Sequence, residues 1–350
     1  MSNPRTVLIT GGCGFMGSHA VRRFYHAYPK ATIVNLDLLT YAGNPENLAD
    51  IEQLEAKLSQ TAKRYHFVRG DIGDRALLDT LFAKYHFDLV VNFAAETHVD
   101  RSIIDMNDFV RTNVGGTLNL VEAVRRAKTP RFVHISTDEV YGDVAAGRTR
   151  EDAPLRPSSP YSSSKAAADL IVQSFIRTHR VPAIIVRGSN NFGPNQYPEK
   201  LIPLAISNII AGEKVPVHGS GQQVRSWLHV EDFCDAVELI ARTGTDGEIY
   251  NASGQEQTNL EILDHIARHL NTDPSRHVVH VDDRPGADQR YAPDSTKLRT
   301  TLGWVPAHSV TASMANVVSW YLTNEQWWKK IKGKKEYRDH YEKQSRGQWF

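Results

Sequence analysis

The 350-residue sequence contains only two cysteines, Cys13 and Cys234, and their spacing provides neither a disulfide framework nor a metal-binding motif. A reducing, cytoplasmic compartment is therefore expected. Basic and acidic side chains nearly cancel, at 41 against 40, so no global field attracts the chain to nucleic acid or to an acidic membrane. No apolar run approaches the roughly 18 residues that span a bilayer. The segment MSNPRTVLITGG (1–12) enters a strand pattern directly, and no secretion signal is expected.

Strand-like and helix-like segments alternate through the first half of the chain. The strand-like runs are TVLIT (6–10), TIVNLD (32–37), YHFVRGD (65–71), DLVVNFAA (88–95), RFVHIST (131–137) and AIIVRGS (183–189). This alternation predicts an α/β fold, in which a doubly wound parallel sheet carries helices on both faces. Two later segments, GPNQYPEKLIP (193–203) and VHGSGQQVRSW (217–227), are rich in proline or glycine and are predicted to be loops of a smaller lobe.

A glycine-rich segment, TGGCGFMGS (10–18), follows the first strand and opens a helix. Glycines let a backbone approach a pyrophosphate, and the helix N-terminus presents free N–H donors to it. Asp37 ends the second strand, where a carboxylate binds ribose hydroxyls and repels a 2′-phosphate. Together they predict a Rossmann-type domain that binds NAD rather than NADP. The candidate contacts are Gly11, Gly14 and Gly17 in the loop, Asp37, and Asp71 and Ile72 in GDI (70–72) for the adenine edge.

The segment WLHVEDFCDAVELIAR (227–242) again resembles the segments that are expected to pack beside the large sheet. The two lobes are therefore expected to interleave in sequence. The Rossmann-type domain is expected to comprise residues 1–189 and 227–252. A smaller α/β substrate-binding lobe is expected to comprise 190–226 and 253–320. Residues 321–350 are expected to form a basic, aromatic tail. The tail is expected to be a terminal helix that packs its tryptophans, and no function is assigned to it.

The segment YSSSK places Tyr161 and Lys165 four residues apart, on one face of a helix. A free tyrosine, with a pKa of about 10, is a poor base near neutral pH. The lysine ammonium and a nicotinamide ring would both favour the phenolate. This spacing also arises by chance, so a purely structural pair remains an alternative. Its position after a dinucleotide loop and after a strand end at 136–137 favours catalysis.

Several further segments carry a family resemblance. They are DLLTYAGN (37–44), NFAAETHVDRS (92–102), TNVGGT (112–117), STDEVYG (136–142), SNNFGPNQYPEKLIP (189–203), VRSWLHVED (224–232) and RPGADQRYAPD (284–294). With the glycine loop and the Tyr161–Lys165 spacing, they resemble the extended short-chain dehydrogenase/reductases, and among these the nucleotide-sugar 4,6-dehydratases that act on dTDP-glucose. The resemblance covers the chain to about residue 305. The acid pair in STDEVYG is a feature that simple epimerases of the superfamily usually lack.

The resemblance implies a hydro-lyase of deoxysugar biosynthesis that oxidises a nucleoside-diphosphate hexose at C4, eliminates water across C5 and C6, and returns the hydride to C6. It implies that Tyr161, beside Lys165, takes the proton of the 4-hydroxyl and that Thr137 hydrogen-bonds the sugar at C4. Glu139 is the implied base at C5, and Asp138 the implied acid for the departing C6 hydroxyl. Two carboxylates in different environments can hold different protonation states at one pH, as this division requires. The plain alternative is that the pair caps a turn or a helix.

The resemblance also carries over binding positions. The cofactor positions that it adds are Phe15, Met16, Ala94, Ala95 and Ser136, with Tyr161 and Lys165. The nucleotide-sugar positions are His98, Asn190, Lys200, Arg225, Asn251, Arg284 and Tyr291. Arginine suits a diphosphate because its planar fork binds phosphate oxygens bidentately. Two departures, Ala287 in place of histidine and Ser226 in place of aspartate, lie in the lobe expected to hold the nucleotide, so dTDP is the first expected base and UDP the second.

Other functions remain open from the sequence. A UDP-glucose 4,6-dehydratase would share this chemistry, whereas a nucleotide-sugar 4-epimerase or decarboxylase would not need the acid pair. A third alternative is a non-catalytic NAD-binding regulatory protein. A homodimer is expected, with helices near 100–125 and 160–180 as its candidate interface. No metal is expected, because His265 and His269, although four residues apart, have no evident third ligand.

Overall fold

The computed structural model describes residues 3–348. Its strands are β1 (Thr6–Thr10), β2 (Thr32–Asp37), β3 (Tyr65–Arg69), β4 (Leu89–Asn92), β5 (Arg131–Thr137), β6 (Ala183–Gly188), β7 (Asn190–Phe192), β8 (Val215–His218), β9 (Val224–His229), β10 (Ile249–Ala252), β11 (Gln255–Thr258) and β12 (Val278–Val281). Its α-helices are α1 (Phe15–Ala27), α2 (Ala49–Ala56), α3 (Arg75–Tyr85), α4 (Val99–Ile104), α5 (Asn107–Phe109), α6 (Thr117–Ala127), α7 (Pro160–His179), α8 (Leu201–Ile210), α9 (Val230–Thr243), α10 (Asn259–His269), α11 (Thr296–Leu302), α12 (Val310–Thr323), α13 (Glu325–Lys332) and α14 (Lys335–Ser345). None of the helices in this range is long and apolar enough to cross a membrane.

Within the described residues, seven strands form one parallel sheet in the order β10-β6-β5-β4-β1-β2-β3. The strands β4, β5 and β6 are buried along their whole length, as parallel strands covered on both faces must be. Helices α1 and α9 pack on one face, and α3, α6 and α7 pack on the other. This arrangement confirms the predicted Rossmann-type doubly wound fold.

The C-terminal ends of the parallel strands lie along one edge of the large sheet. The glycine loop follows β1 there, Asp37 ends β2, and Thr137 ends β5. Ligands of open α/β sheets bind at this edge. The topology therefore brings together groups that lie about a hundred residues apart in sequence.

A separate hydrophobic core belongs to a smaller lobe. There β7, β9 and β11 form a mixed sheet, β8 pairs with β12, and α8, α10 and α12 pack around them. By contrast, β10 pairs with β6 in the large sheet, so the chain passes between the lobes more than once. The exact domain limits given above remain a prediction.

The prediction of a loop at 217–227 is confirmed only for 219–223, because β8 and β9 extend into the two ends of this segment. The turn between them contains Gly219 and Gly221, whose φ angles are 59° and 74°. Such angles favour glycine, because a side chain would be strained there. A tight turn between two strands therefore gave the segment its loop-like composition.

The C-terminal tail packs on the smaller lobe. Trp328 of α13 is 2% exposed and belongs to the core of that lobe. The hydroxyl of Tyr337 in α14 donates a hydrogen bond to the carbonyl oxygen of Pro198 at 2.9 Å. The tail is thus bound to the segment that leads into α8.

Candidate active site

A cleft of about 410 Å³ lies between the C-terminal edge of the large sheet and the smaller lobe. The catalytic, cofactor and substrate residues predicted from the sequence all line it, with the exception of Asn251. They come from both lobes and from loops distant in sequence. Their roles remain predictions, whereas their convergence on one cleft is a property of the structure.

The glycine loop leaves no room for side chains at two positions. A Cβ atom on Gly17 would lie 2.0 Å from the carbonyl oxygen of Gly11, and one on Gly11 would lie 2.7 Å from the backbone nitrogen of Ala94. Gly11 also has a φ of 69°. The backbone can therefore come close to a ligand at the N-terminus of α1, where N–H groups and the helix dipole favour an anion.

Asp37 lies in the cleft with its carboxylate held by backbone donors. Oδ2 accepts the N–H of Cys13 at 2.8 Å, and Oδ1 accepts the N–H of Leu39 at 2.8 Å. Burial raises the pKa of Asp37, and these two donors oppose the rise. A carboxylate has about four acceptor sites, so the group can still bind the hydroxyls of a ribose.

Several buried polar atoms in the cleft lack a hydrogen-bond partner within residues 3–348, and four of them lie beside the strand ends. These four are Ser136 Oγ, Asp138 Oδ2, Ser189 Oγ and Asn190 Oδ1. Buried polar groups in native proteins are nearly always hydrogen-bonded. A ligand rich in hydroxyl and amide groups would supply the missing partners, so the cleft fits a dinucleotide and a sugar better than an apolar compound.

Thr137 fixes the two carboxylates that follow it. Its Oγ1 accepts the N–H of Glu139 at 3.3 Å, and its hydroxyl donates to Oδ1 of Asp138 at 3.4 Å. These bonds begin the short helical turn Asp138–Tyr141 directly at the end of β5. Both acidic residues are therefore held by a buried strand rather than by a free loop.

The two carboxyl groups have different surroundings. Asp138 is 2% exposed, and burial, followed by the charge of Glu139, raises the pKa of Asp138 well above its usual value. Burial also raises the pKa of Glu139, but Lys200, Arg225 and Arg284 oppose that rise. The strongly raised pKa favours the protonated form of Asp138, and the three cations favour the ionised form of Glu139. The pair can present an acid and a base at one pH.

Tyr161 and Lys165 lie one turn apart at the start of α7, as their spacing predicts. Lys165 Nζ donates to the carbonyl oxygen of Ile135 at 2.7 Å, and burial lowers the pKa of Lys165 to about 8. Burial, followed by the charge of Glu139, raises the pKa of Tyr161. The protein groups alone therefore do not favour the phenolate, contrary to the expectation from Lys165. A lower pKa requires a further positive charge in the cleft.

The three cations that face Glu139 are held by protein partners. The guanidinium of Arg225 lies over the ring of Tyr291, 4.3 Å from its centroid. Lys200 Nζ donates to a backbone carbonyl oxygen at 2.9 Å, and Arg284 forms an ion pair with buried Asp100. Cations fixed in this way offer positioned donors that suit a diphosphate group.

The structure contradicts the predicted substrate contact of Asn251. This residue is fully buried in β10, away from the cleft. Its Oδ1 accepts the hydroxyl of Tyr141 at 2.8 Å, and its Nδ2 donates to the carbonyl oxygens of Thr149 at 3.0 Å and Asp294 at 3.2 Å. The amide is occupied by contacts that join three segments of the protein.

The cleft also contains residues that sequence reasoning missed. Glu199 accepts hydrogen bonds from the Tyr41 hydroxyl at 2.9 Å and from Nε of Arg101 at 3.2 Å, and burial raises the pKa of Glu199. Its place directly before Lys200 was a signal that could have identified it. Gln344 of α14 also lines the cleft, and no sequence signal pointed to it.

The two departures from the family pattern differ in their consequences. Ala287 lines the cleft, so the missing histidine bears directly on the ligand. Ser226 is buried outside the lining, and its Oγ accepts the N–H of Gly254 at 3.0 Å. The change at 226 therefore concerns the packing of β9 rather than a ligand contact.

Comparison with known proteins indicates one family. Residues 8–317 match the family model described as GDP-mannose 4,6 dehydratase. The chain is 45% identical over 335 residues to a dTDP-glucose 4,6-dehydratase of Streptomyces niveus, covering 94% of this chain and 96% of that protein. The solved structure of the dTDP-glucose 4,6-dehydratase DesIV from Streptomyces venezuelae, with NAD and TYD bound, superposes with a TM-score of 0.88 at 42% identity, covering 93% of this chain and 99% of that one. A UDP-glucose 4-epimerase of Thermotoga maritima superposes with a TM-score of 0.82 at 25% identity, covering 91% and 99%.

Proposed function

The chain belongs to the family of GDP-mannose 4,6 dehydratase and related nucleotide-sugar 4,6-dehydratases, and we propose that it converts dTDP-glucose to the 4-keto-6-deoxy sugar with NAD as cofactor. The observation that carries the proposal is the pair Asp138 and Glu139, which lie in one cleft in different surroundings: Asp138 is almost fully buried, whereas Lys200, Arg225 and Arg284 act on Glu139. A 4-epimerase oxidises and reduces at C4 alone and does not need such a pair. Dehydration needs both a base at C5 and an acid at C6.

In this proposal the two carboxyl groups divide the elimination. Glu139 removes the C5 proton once C4 is a ketone, and Asp138 protonates the departing C6 hydroxyl. The surrounding cations support the first role, because they stabilise the ionised form of Glu139. The burial of Asp138 supports the second role, because it favours the neutral acid. Thr137 keeps both groups at the end of β5 and hydrogen-bonds the sugar at C4.

The first step of the proposed reaction belongs to Tyr161, which removes the proton of the 4-hydroxyl, with Lys165 beside it. NAD, when bound, supplies the acceptor for the C4 hydride and its return to C6. The glycine loop, Asp37 and Ser136 are the groups proposed to hold it, since they combine a close backbone approach, a carboxylate and an unpaired hydroxyl. The raised pKa keeps Tyr161 neutral in the free protein. Tyr161 can then act as a base only when a positive charge is also bound in the cleft.

The diphosphate is proposed to bind Lys200, Arg225 and Arg284, the three cations of the cleft that act on Glu139. The preference for dTDP over UDP follows the relatives that act on dTDP-glucose. Ala287 is the position in the cleft where this chain departs from the family pattern, and it leaves UDP-glucose as the second substrate to test.

We also propose a cytoplasmic homodimer. The two thiols, Cys13 and Cys234, are free and buried, as suits a reducing compartment. Exposed apolar side chains lie on the helices expected at the interface and on their connections, which supports a contact at this surface. These side chains are Ile104, Met106, Val110, Leu118 and Leu170.

The reaction itself is tested by incubating the purified protein with dTDP-glucose and no added NAD. We expect many turnovers to the 4-keto-6-deoxy product, identified by mass and NMR, because the hydride leaves and returns within one cycle. The kcat/KM for UDP-glucose should be lower. Net accumulation of NADH by the wild-type protein, or a clear preference for UDP-glucose, would contradict the proposal.

The division of labour is tested by separating the steps. Glu139→Gln keeps the shape of the side chain but removes the base, which typically costs about 10²–10⁴-fold in rate. On rapid mixing with substrate it should still oxidise C4, seen as nicotinamide absorbance, yet lose water slowly and exchange little solvent deuterium into C5. Tyr161→Phe should fail at the oxidation itself. Near wild-type dehydration by Glu139→Gln, or an equally severe loss of oxidation in both variants, would refute the assignment.

The proposed interface is tested by Leu170→Glu, which places a charge on an exposed residue of α7 that is 58% accessible. If α7 forms the dimer contact, light scattering should show a shift from dimer to monomer. The control is Leu322→Glu on α12, where a leucine is 44% exposed outside the expected interface. A monomeric wild type, or a dimer unaffected by Leu170→Glu, would argue against this surface.

A further inference from the structure

The C-terminal helix α14 reaches the cleft, although the family match ends at residue 317. Gln344, in its last turn, is 3% exposed and lines the cleft. One residue of a tail that the family pattern does not cover thus forms part of the wall around the proposed substrate.

The amide nitrogen of Gln344 joins a buried carboxylate to the backbone of a residue that lines the cleft. Nε2 donates to Oδ2 of Asp100 at 3.0 Å and to the backbone carbonyl oxygen of Glu199 at 3.1 Å, and both bonds are buried. A carboxylate and a carbonyl oxygen can only accept hydrogen bonds, so both require the donor end of the amide. The orientation of the side chain is therefore set by its partners.

Asp100 connects the tail to the diphosphate-binding surface. It is fully buried and forms an ion pair with Arg284, whose second nitrogen lies 3.3 Å from Oδ2. Burial alone would raise the pKa of Asp100, but Arg284 and then His98 hold that pKa below its usual value. The ionised carboxylate is therefore shared between Arg284 on the cleft side and Gln344 on the tail side.

This sharing constrains where Arg284 can point. A buried charged oxygen that loses a donor carries a large desolvation cost. If Gln344 were lost, Oδ2 of Asp100 would keep Nη2 of Arg284, now at 3.3 Å, as its hydrogen-bond donor, and this long contact would shorten as the guanidinium moves further onto Asp100. That movement would draw its charge away from the cleft.

The tail presents Gln344 from a packed element rather than from a loose chain end. Nε1 of Trp328 donates to the carbonyl oxygen of Tyr321 at 2.9 Å in a buried bond. The hydroxyl of Tyr337 fixes α14 to Pro198, next to Glu199. The tail can therefore hold a side chain in one position.

The side chains near Gln344 could also be interpreted as a metal site, because His98, Glu199 and His340 offer ligand atoms within 4.8 Å of one another. However, Tyr41 and Arg101 already donate hydrogen bonds to the two oxygens of Glu199. A cation there would also be repelled by the Arg101 guanidinium. We therefore assign Glu199 to a hydrogen-bonded network rather than to a metal site.

We propose that Gln344 is a positioning residue for substrate binding: its amide donates a hydrogen bond to the tail side of Asp100 and so keeps Arg284 available to the diphosphate of the nucleotide sugar. This inference rests on the proposed function, since it assumes a diphosphate in the cleft. It assigns the C-terminal tail a part in binding rather than in the chemical step.

The test uses Gln344→Met in the full chain, because methionine keeps the length of the side chain and removes the hydrogen bonds. The expected result is a roughly tenfold rise in both the KM for dTDP-glucose and the inhibition constant of dTDP, with kcat little changed. The matched control is Gln348→Met, which alters an exposed glutamine near the same helix end. Combining Gln344→Met with Arg284→Lys should give an effect on dTDP inhibition smaller than the sum of the two, because both act on one group.

The outcomes separate this inference from the proposed function. Absence of dehydration by the wild-type protein would refute the function. With an active wild type, a Gln344→Met variant that matches Gln348→Met in KM and dTDP inhibition overturns the positioning role. A loss confined to kcat, or effects that add fully with Arg284→Lys, overturns it as well.

Discussion

The burial of one carboxyl group beside another is the constraint on which the proposed site depends. Asp138 and Glu139 are adjacent in sequence, and two ionised carboxylates held close together and shielded from water would repel each other. The protein resolves this by burying Asp138 almost completely and by directing Lys200, Arg225 and Arg284 at Glu139. Burial then favours a proton on Asp138 and the cations favour a negative charge on Glu139, which is the state that the proposed elimination of water needs.

The difference in environment between Asp138 and Glu139 requires both lobes. The large sheet supplies the rigid end of β5 and the start of α7, which fix the acid pair and Tyr161. The smaller lobe and the loops around it supply the cations. A Rossmann-type domain alone would hold a dinucleotide but would leave the two carboxyl groups without their difference in environment. The interleaving of the lobes in sequence, with β10 returning beside β6, ties the two parts into one cleft.

The large sheet and most of the cleft could be predicted from the sequence because their signals are local. Buried parallel strands have continuous apolar runs, and the glycine loop has a fixed spacing that only close backbone approach explains. The role of Asn251 could not be read in the same way, because an asparagine that joins three loops looks like one that contacts a ligand. The position of Gln344 in the cleft could not be predicted from the sequence. Its partners, Asp100 and Glu199, lie more than 140 residues away in sequence, so only the packing of the tail brings them together. The environment of Tyr161 was also beyond sequence reasoning, since the effect of Glu139 on its pKa depends on distance and burial.

The central claim, that the pair holds one proton at a defined position, is tested most directly by NMR of the protein labelled with ¹³C at its aspartate and glutamate carboxyl carbons. Signals are assigned with Asp138→Asn and Glu139→Gln. The account predicts that near neutral pH the carbon of Asp138 resonates as a protonated carboxyl and that of Glu139 as a carboxylate, with Asp138 ionising only at higher pH. An ionised Asp138 near neutral pH, or a proton that resides on Glu139 instead, would contradict it.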